Sequence, residues 1–482
     1  MGMSLANRLL GMLLLLFSTA LLPPIAVSLY YRDGQIVHFL LTVGLTAMAG
    51  LLLLSLGNGK QQLRLRTRDG FVVVTLFWVV ISLIGSLPFI LCIGATPAQA
   101  FFESASAFTT TGATVFSGLE AMPRSILFYR QEMQWLGGIG VIVSAIALMP
   151  MLGIGGMQLF KAETAGPIKD EKLTPRIAHT ARVIWRIYAG MTVLCAVFFW
   201  LAGMEPFDAI AHSLSTVSTG GFSTHDESIG FYHNRGIEWV AIVFMMLGSI
   251  SFNVHFLAVR SGRLGSYWNN VEVRVFLLFT LALVAAIAVM LYLTHYVGSM
   301  DDAWSAAAFE TVSVISSTGY GTDDFSHWPS VLPTLLIFTS FVGGCAGSTS
   351  GGMKVIRFVL LSKQALLELQ RLLHPNLVRP VKLGNRVVKE RIVAAVWGFF
   401  AVYVGCFVIF MLLLMASGLD QTSAFGAVAA CMNNLGPGLG KVATSFAGVS
   451  GFDQCLMGFA MLLGRLEIFT ILVLFSPAFW RG

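Results

Sequence analysis

Long apolar runs alternate with short polar links along the whole 482-residue chain. A helix that crosses the hydrocarbon core needs about 20 mostly apolar residues. Runs of that kind occupy 9–30, 36–56, 71–93, 125–152, 183–203, 236–259, 272–297, 331–360, 391–416 and 452–480, which predicts ten spans in an all-α transmembrane fold. The first run follows Arg8, as a signal peptide's would. It is long, holds Pro23-Pro24 and lacks a small-x-small cleavage site, so it reads as a retained span.

Four of the polar links carry a pattern of their own. Each has a semi-apolar stretch too short to span, then a Gly-centred polar motif, then another span. They read FFESASAFTTTGAT around Gly112, DAIAHSLSTVSTGGFST around Gly220, FETVSVISSTGYGT around Gly319 and FGAVAACMNNLGPG around Gly436. Phe102-Glu103 and Phe309-Glu310 stand at the same offsets, ten and nine residues before Gly112 and Gly319. The four glycines lie 108, 99 and 117 residues apart, one span–hairpin–span unit each time. One such motif would read as an ordinary turn; four, all between spans, read as a repeat. The chain divides into two N-terminal helices (1–68) and repeats at 69–160, 161–265, 266–385 and 386–482.

A ten-residue stretch at membrane depth is a re-entrant half-helix. Irregular backbone after it survives only where it is buried or lines an aqueous cavity. The helix C-terminus carries about half a negative charge, and a ring of carbonyl oxygens can replace the hydration shell of an alkali ion. Four half-helices aimed at one cavity therefore favour a monovalent cation. Glu103, Asp208, Glu310 and Asp420 fall near the expected half-helix starts, where a carboxylate caps and complements the dipole; direct ion binding is the alternative.

Composition agrees: 56% of residues are apolar and 11% charged, against about 25% charged in soluble domains. The net charge of +6 is unevenly spread. Lys60, Arg64, Arg66 and Arg68, then Lys161, Lys169, Lys172, Arg176 and Arg182, then Arg260, Arg263 and Arg274, then a long run from Lys354 to Arg391 fill alternate links. Glu120, Glu205, Asp208, Asp226, Glu227, Asp301, Asp302, Asp323, Asp324 and Asp420 fill the others. Excess Lys and Arg mark the cytoplasmic side, so both termini are expected there. Bias on every alternate link favours topology over nucleic-acid binding. The six cysteines show no metal-site spacing. His212 and His255 are isolated, and a membrane enzyme would need clustered acids, bases or ligands. No dinucleotide fingerprint follows a strand, and GSTSGGMK lacks P-loop spacing.

The span at 331–360 is interrupted by Gly343, Gly344, Cys345, Ala346, Gly347, Ser348, Thr349, Ser350, Gly351 and Gly352. Each helical glycine costs about 1 kcal/mol relative to Ala, so five in ten residues break the helix. Arg465 lies inside the last span, where a charge costs about 2.5–3.5 kcal/mol on insertion scales. It is expected to face the pore as a barrier to cations; pairing with Glu467 is the alternative.

The series TTTGAT, STGGFST, SSTGYGT and NNLGPGLG resembles the Trk/Ktr/HKT superfamily of potassium transporters, and bacterial Trk membrane subunits in particular. YRDG at 31–34, MPRSILFYRQ at 122–131, GGFSTHDESIG at 220–230, VGGCAGSTSGG at 342–352 and GRLEIF at 464–469 extend the resemblance over the chain. It implies four M1–P–M2 repeats (helix, re-entrant pore loop, helix) around one central pore, preceded by two extra helices, in a bacterial inner membrane. It implies a potassium filter of backbone at Thr110, Thr111 and Gly112; Ser218, Thr219 and Gly220; Ser317, Thr318 and Gly319; and Asn434, Leu435 and Gly436. Plant relatives with Ser at the first filter glycine favour sodium; all four positions here are Gly. The fourth repeat departs, with Leu435 in place of a hydroxyl residue. The Gly343–Gly352 segment would be a loop that obstructs the pore below the filter. The resemblance further implies a homodimer and a cytosolic TrkA-like regulatory subunit binding NAD(H) or ATP/ADP, with the basic links at 161–182 and 361–390 as candidate contacts or as lipid-facing charge. A proton- or sodium-coupled potassium symporter is the alternative to a channel-like pore.

Overall fold

The computed structural model describes residues 3–57, 67–147, 173–384 and 386–481. Lys60, Arg64, Arg66, Lys161, Lys169 and Lys172, and with them the 161–172 part of the proposed partner contact, lie outside the described residues. The fold is all-α. Among the described residues the only strands are Lys382–Leu383 and Arg386–Val387, an antiparallel pair.

An N-terminal hairpin comes first. Met3–Ala20 and Leu22–Tyr31 pack against Ile36–Leu56. Gly11 and Gly50 let two of these backbones touch: a Cβ on Gly11 would stand 2.7 Å from Gly50 O. Small residues at crossings are how helices pack in lipid, where apolar burial gives no net drive. Asp33, in the turn, accepts the Ser125 N–H at 2.9 Å and so caps the helix Arg124–Ala147 from a distant part of the chain. Burial opposes ionisation of Asp33, but hydrogen bonds from Ser125, Ser28 and Gln35 outweigh it and hold the carboxyl below its ordinary pKa.

Four helix–half-helix–helix repeats follow. The half-helices are Pro97–Phe108, Pro206–Val217, Met300–Ile315 and Gln421–Met432. Their starts are encoded locally. Thr96 and Gln99 form a capping box, Ser299 accepts the Asp302 N–H at 3.1 Å, and Asp420 accepts the Ser423 N–H at 3.1 Å. Pro97 and Pro206 occupy the first turn, where a missing N–H costs nothing.

Among the described residues six helices are long and apolar enough to cross a membrane, and two bent pairs raise the count to eight. Of the ten runs read from hydropathy, 236–259 and 452–480 are bent where an unbroken span was expected, and 331–360 breaks as its glycines predict. Arg235–Ser249 and Phe252–Ser261 meet at 95°, and Gly451–Arg465 and Phe469–Phe475 at 103°. The 331–360 stretch is split into Leu332–Val342 and Val355–Leu373. Hydropathy averages over a bend because both arms remain apolar.

Candidate functional site

Each half-helix ends in the same way. Its C-cap (Thr109, Ser218, Ser316 or Asn433) is followed by a non-glycine residue in the left-handed region: Thr110 at φ 53°, Thr219 at 52°, Ser317 at 54° and Asn434 at 52°. That conformation costs about 1–2 kcal/mol for an L-residue, and four copies in one place mark a backbone held by its surroundings. The next N–H closes a turn onto the half-helix: Thr111 to Ser106 O, Gly220 to Ser215 O, Thr318 to Ser313 O and Leu435 to Ala430 O, at 2.8–2.9 Å. Then comes a positive-φ glycine: Gly112, Gly221, Gly319 or Gly436.

These four strands close a ring. A Cβ on Gly112 would lie 2.2 Å from Gly220 O; on Gly221, 1.8 Å from Thr318 O; on Gly319, 1.9 Å from Leu435 O; on Gly436, 2.9 Å from Thr111 O. Every repeat thus abuts the carbonyl of the next, and the fourth returns to the first. The hairpins converge on one axis, and a side chain at these glycines would displace a ring carbonyl.

The geometry corrects the register of the second repeat. Ser218, Thr219 and Gly220 do not align with Thr110, Thr111 and Gly112. Ser218 is the C-cap, and Thr219, Gly220 and Gly221 are the equivalents. Two sequence signals carry this register. Pro97 precedes Gly112 by fifteen positions and Pro206 precedes Gly221 by fifteen; the carboxylate offset of nine lands on His212.

That offset also identifies what holds the strands from behind. Glu103 is buried and accepts from Thr114 Oγ1 at 3.0 Å, Val115 N at 3.0 Å and Arg130 Nε at 2.8 Å. Glu310 accepts from Thr322 N at 2.8 Å and Asp323 N at 3.2 Å. His212 takes the same place in the second repeat, its Nε2 2.9 Å from Ser223 Oγ. Glu103 and Glu310 therefore staple the strand beyond the ring rather than cap a helix start; a one-dimensional offset cannot distinguish the two. Asp420 does cap, and Asp208 lies in the first turn and accepts from Thr224 Oγ1 at 2.9 Å. Among the described residues no cluster of three His, Cys, Asp or Glu side chains is placed to hold a metal.

Beneath the ring lies the non-helical Gly343–Lys354 segment. Ser350 Oγ donates to Ser316 O at 2.6 Å, the Gly352 N–H to Asn433 O at 3.0 Å, and the Cys345 N–H to Ser249 O at 2.9 Å. Thr349 Oγ1 lies 3.0 Å from Gly248 O and 3.1 Å from Thr219 Oγ1. Two cations reach its carbonyls: Arg465 Nη1 donates to Thr349 O at 2.7 Å, and Lys354 Nζ to Ser350 O. Arg465 is buried, and its Nε and Nη2 have no hydrogen-bond partner among the described residues. Glu467 pairs with Arg357 instead.

Residues 38–481 match a family described as TrkH, cation transport protein. The chain is 49% identical to the Trk system potassium uptake protein TrkH of Vibrio parahaemolyticus, over 98% of this chain and 99% of that one. It is 39% identical to the Trk system potassium uptake protein TrkG of Escherichia coli K12, over 98% and 97%. The crystal structure of the potassium transporter TrkH from Vibrio parahaemolyticus superposes with a TM-score of 0.93, at 46% identity and full coverage of both chains.

Proposed function

The chain belongs to the TrkH cation transport protein family, and from that premise we propose that it takes up potassium across a bacterial inner membrane through a gated, carbonyl-lined filter, with both termini in the cytoplasm. The observation that carries the reading is the closed ring of Thr111, Gly220, Thr318 and Leu435 carbonyls, each packed against a glycine of its neighbour. Main-chain oxygens at the C-terminal ends of four half-helices are the ligand set an alkali ion takes up when it sheds water. Segments 69–160, 161–265, 266–385 and 386–482 each supply one strand. The Gly343–Gly352 segment is the gate: it is bonded to the feet of the second, third and fourth strands and closes the path below them. Arg465 and Lys354 place positive charge under it and repel a descending cation.

Regulation follows from the same connection. Val355–Leu373 continues directly from the gate. A cytosolic nucleotide-binding subunit, responding to NAD(H) or ATP/ADP and docked on the basic 361–390 link, would move the gate by pulling that helix. A homodimer is the assembly proposed for the membrane part.

The test is rubidium-86 flux into proteoliposomes of the purified chain. Block by potassium but not by sodium is expected, with a reversal potential unchanged between two pH values. A proton-linked shift would replace the channel-like reading with a symporter, and equal block by sodium would remove the filter.

A further inference from the structure

One carbonyl of the ring differs from the other three. Gln134, on the helix Arg124–Ala147 of the first repeat, is fully buried and reaches across to the second repeat. Its Nε2 donates to Gly220 O at 2.6 Å. Its Oε1 accepts the Ser215 hydroxyl at 2.5 Å and the Phe222 N–H at 3.2 Å. Gly220 has no room for a side chain because the amide fills that place: a Cβ would stand 2.4 Å from Gln134 Oε1. Gln131 and Arg130, on the same helix, donate to Phe222 O and Ser223 O, each at 3.3 Å. The second strand is thus held carbonyl by carbonyl from the neighbouring repeat. Among the described residues no side chain donates to Thr111 O, Thr318 O or Leu435 O.

We propose that Gln134 is a positioning residue for ion selectivity, which sets the direction and field of the Gly220 carbonyl. The inference rests on the ring being the filter. A carbonyl oxygen has two lone pairs. The amide engages Gly220 O from behind, so the ring pairs one tethered ligand with three free ones. A tethered carbonyl resists the inward collapse that a smaller ion requires, and the field it offers is weakened by its hydrogen bond. Both effects favour a larger ion over sodium. The amide of Gln134 suits this role because one end accepts twice and the other donates. A rotated amide would leave the Ser215 hydroxyl and Phe222 N–H facing donors.

The experiment measures the rubidium-to-sodium permeability ratio of the full-length chain in proteoliposomes for Gln134→Met, Gln134→Leu and, as the ring's own control, Gly112→Ser. Gln134→Met removes all three bonds. Gln134→Leu removes the same three bonds with a differently shaped side chain, and agreement between the two guards against a misfolded Met variant. The ratio is expected to fall about five-fold in both, a change of ~1 kcal/mol at 1.4 kcal/mol per tenfold. An unchanged ratio in Gln134→Met or Gln134→Leu, with or without lower total flux, overturns the proposal. If Gly112→Ser lowers the ratio while the Gln134 variants do not, the brace fails and the ring stands. If none of the three alters it, the ring reading itself fails.

Discussion

Arg465 offers the sharpest test of the gate because it acts in two separable ways. It ends the helix Gly451–Arg465 just before the 103° bend and donates to Thr349 O at 2.7 Å. A hydrogen bond from a charged donor contributes about 1.5–3 kcal/mol, so its loss would shift a closed gate toward open by roughly ten- to a hundred-fold. Its charge acts on the ion as well. At ~10 Å and an effective dielectric of ~20, like unit charges repel by ~1.7 kcal/mol, which is about fifteen-fold in ion occupancy. Three substitutions separate these contributions. Arg465→Ala removes bond and charge; Arg465→Gln removes the charge but keeps a donor; Arg465→Lys keeps both charge and donor on a shorter reach. The expected order of rubidium flux in proteoliposomes, and of open-time current in planar bilayers, is Ala above Gln above Lys, with Ala at least about ten-fold above wild type and Lys near it. Matching currents in wild type, Ala and Lys would refute both the barrier and the latch.

The remaining predictions test the ring, the gate and the N-terminal hairpin. Gly319→Ala places a methyl 1.9 Å from Leu435 O at φ 78°, so rubidium uptake should fall by at least about ten-fold while detergent gel filtration stays monodisperse; overpacking and strain of this kind cost about 1–3 kcal/mol locally. Ser350→Ala loses the 2.6 Å bond to Ser316 O, a neutral bond of about 1 kcal/mol, so open probability should rise about five-fold; an unchanged value would argue that the segment is not held closed there. Asp33→Ala should lower thermal stability by about 1 kcal/mol, as for a lost helix cap. Because the folded pKa of Asp33 is depressed, its stabilisation is present above the ordinary value of 3.8 and fades as pH falls through the lower folded value. Melting curves of the variant should therefore converge with wild type at acid pH and separate at neutral pH.

The repeat was legible in the chain because each copy writes its own punctuation: a short semi-apolar run, then a Gly-centred polar motif, then another span. The break at Gly343–Gly352 was legible for the same reason, since glycine density alone forbids a helix there. The register of the second repeat was harder. STGGFST offers two adjacent glycines, and matching the preceding Ser-Thr to the other repeats selects Gly220, whereas the backbone selects Gly221. The difference lies in dihedral angles: the left-handed residue is Thr219, and a glycine doublet does not reveal which member stands at which angle. The bends after Ser249 and Arg465 were hidden because apolar composition is unchanged across them. Gln134 was hidden for a different reason. A glutamine in a span has no period or spacing that assigns its partner, and its partner lies in another repeat.

The bends and the gate belong to one physical problem. Bending a helix within a membrane frees backbone groups that lipid cannot satisfy. At the first bend those groups are Gly248 O and Ser249 O. They are taken by the Thr349 N–H at 3.3 Å and the Cys345 N–H at 2.9 Å, while the Phe252 N–H beyond the bend reaches Gly347 O at 3.0 Å. The Gly343–Gly352 segment, the proposed gate, is therefore the hydrogen-bond complement of a broken helix in the neighbouring repeat. Neither irregular segment is satisfied without the other. A gate that swung away as a free flap would leave Ser249 O and the Phe252 N–H without these partners, at about 1–3 kcal/mol for each buried group. Opening must therefore admit water to these groups or rebuild the bend, and the second repeat's broken helix should move with the third repeat's loop. Distance measurements between spin labels on Phe252–Ser261 and on Val355–Leu373 would register that coupled motion, and a gate opening with that helix pair stationary would contradict it.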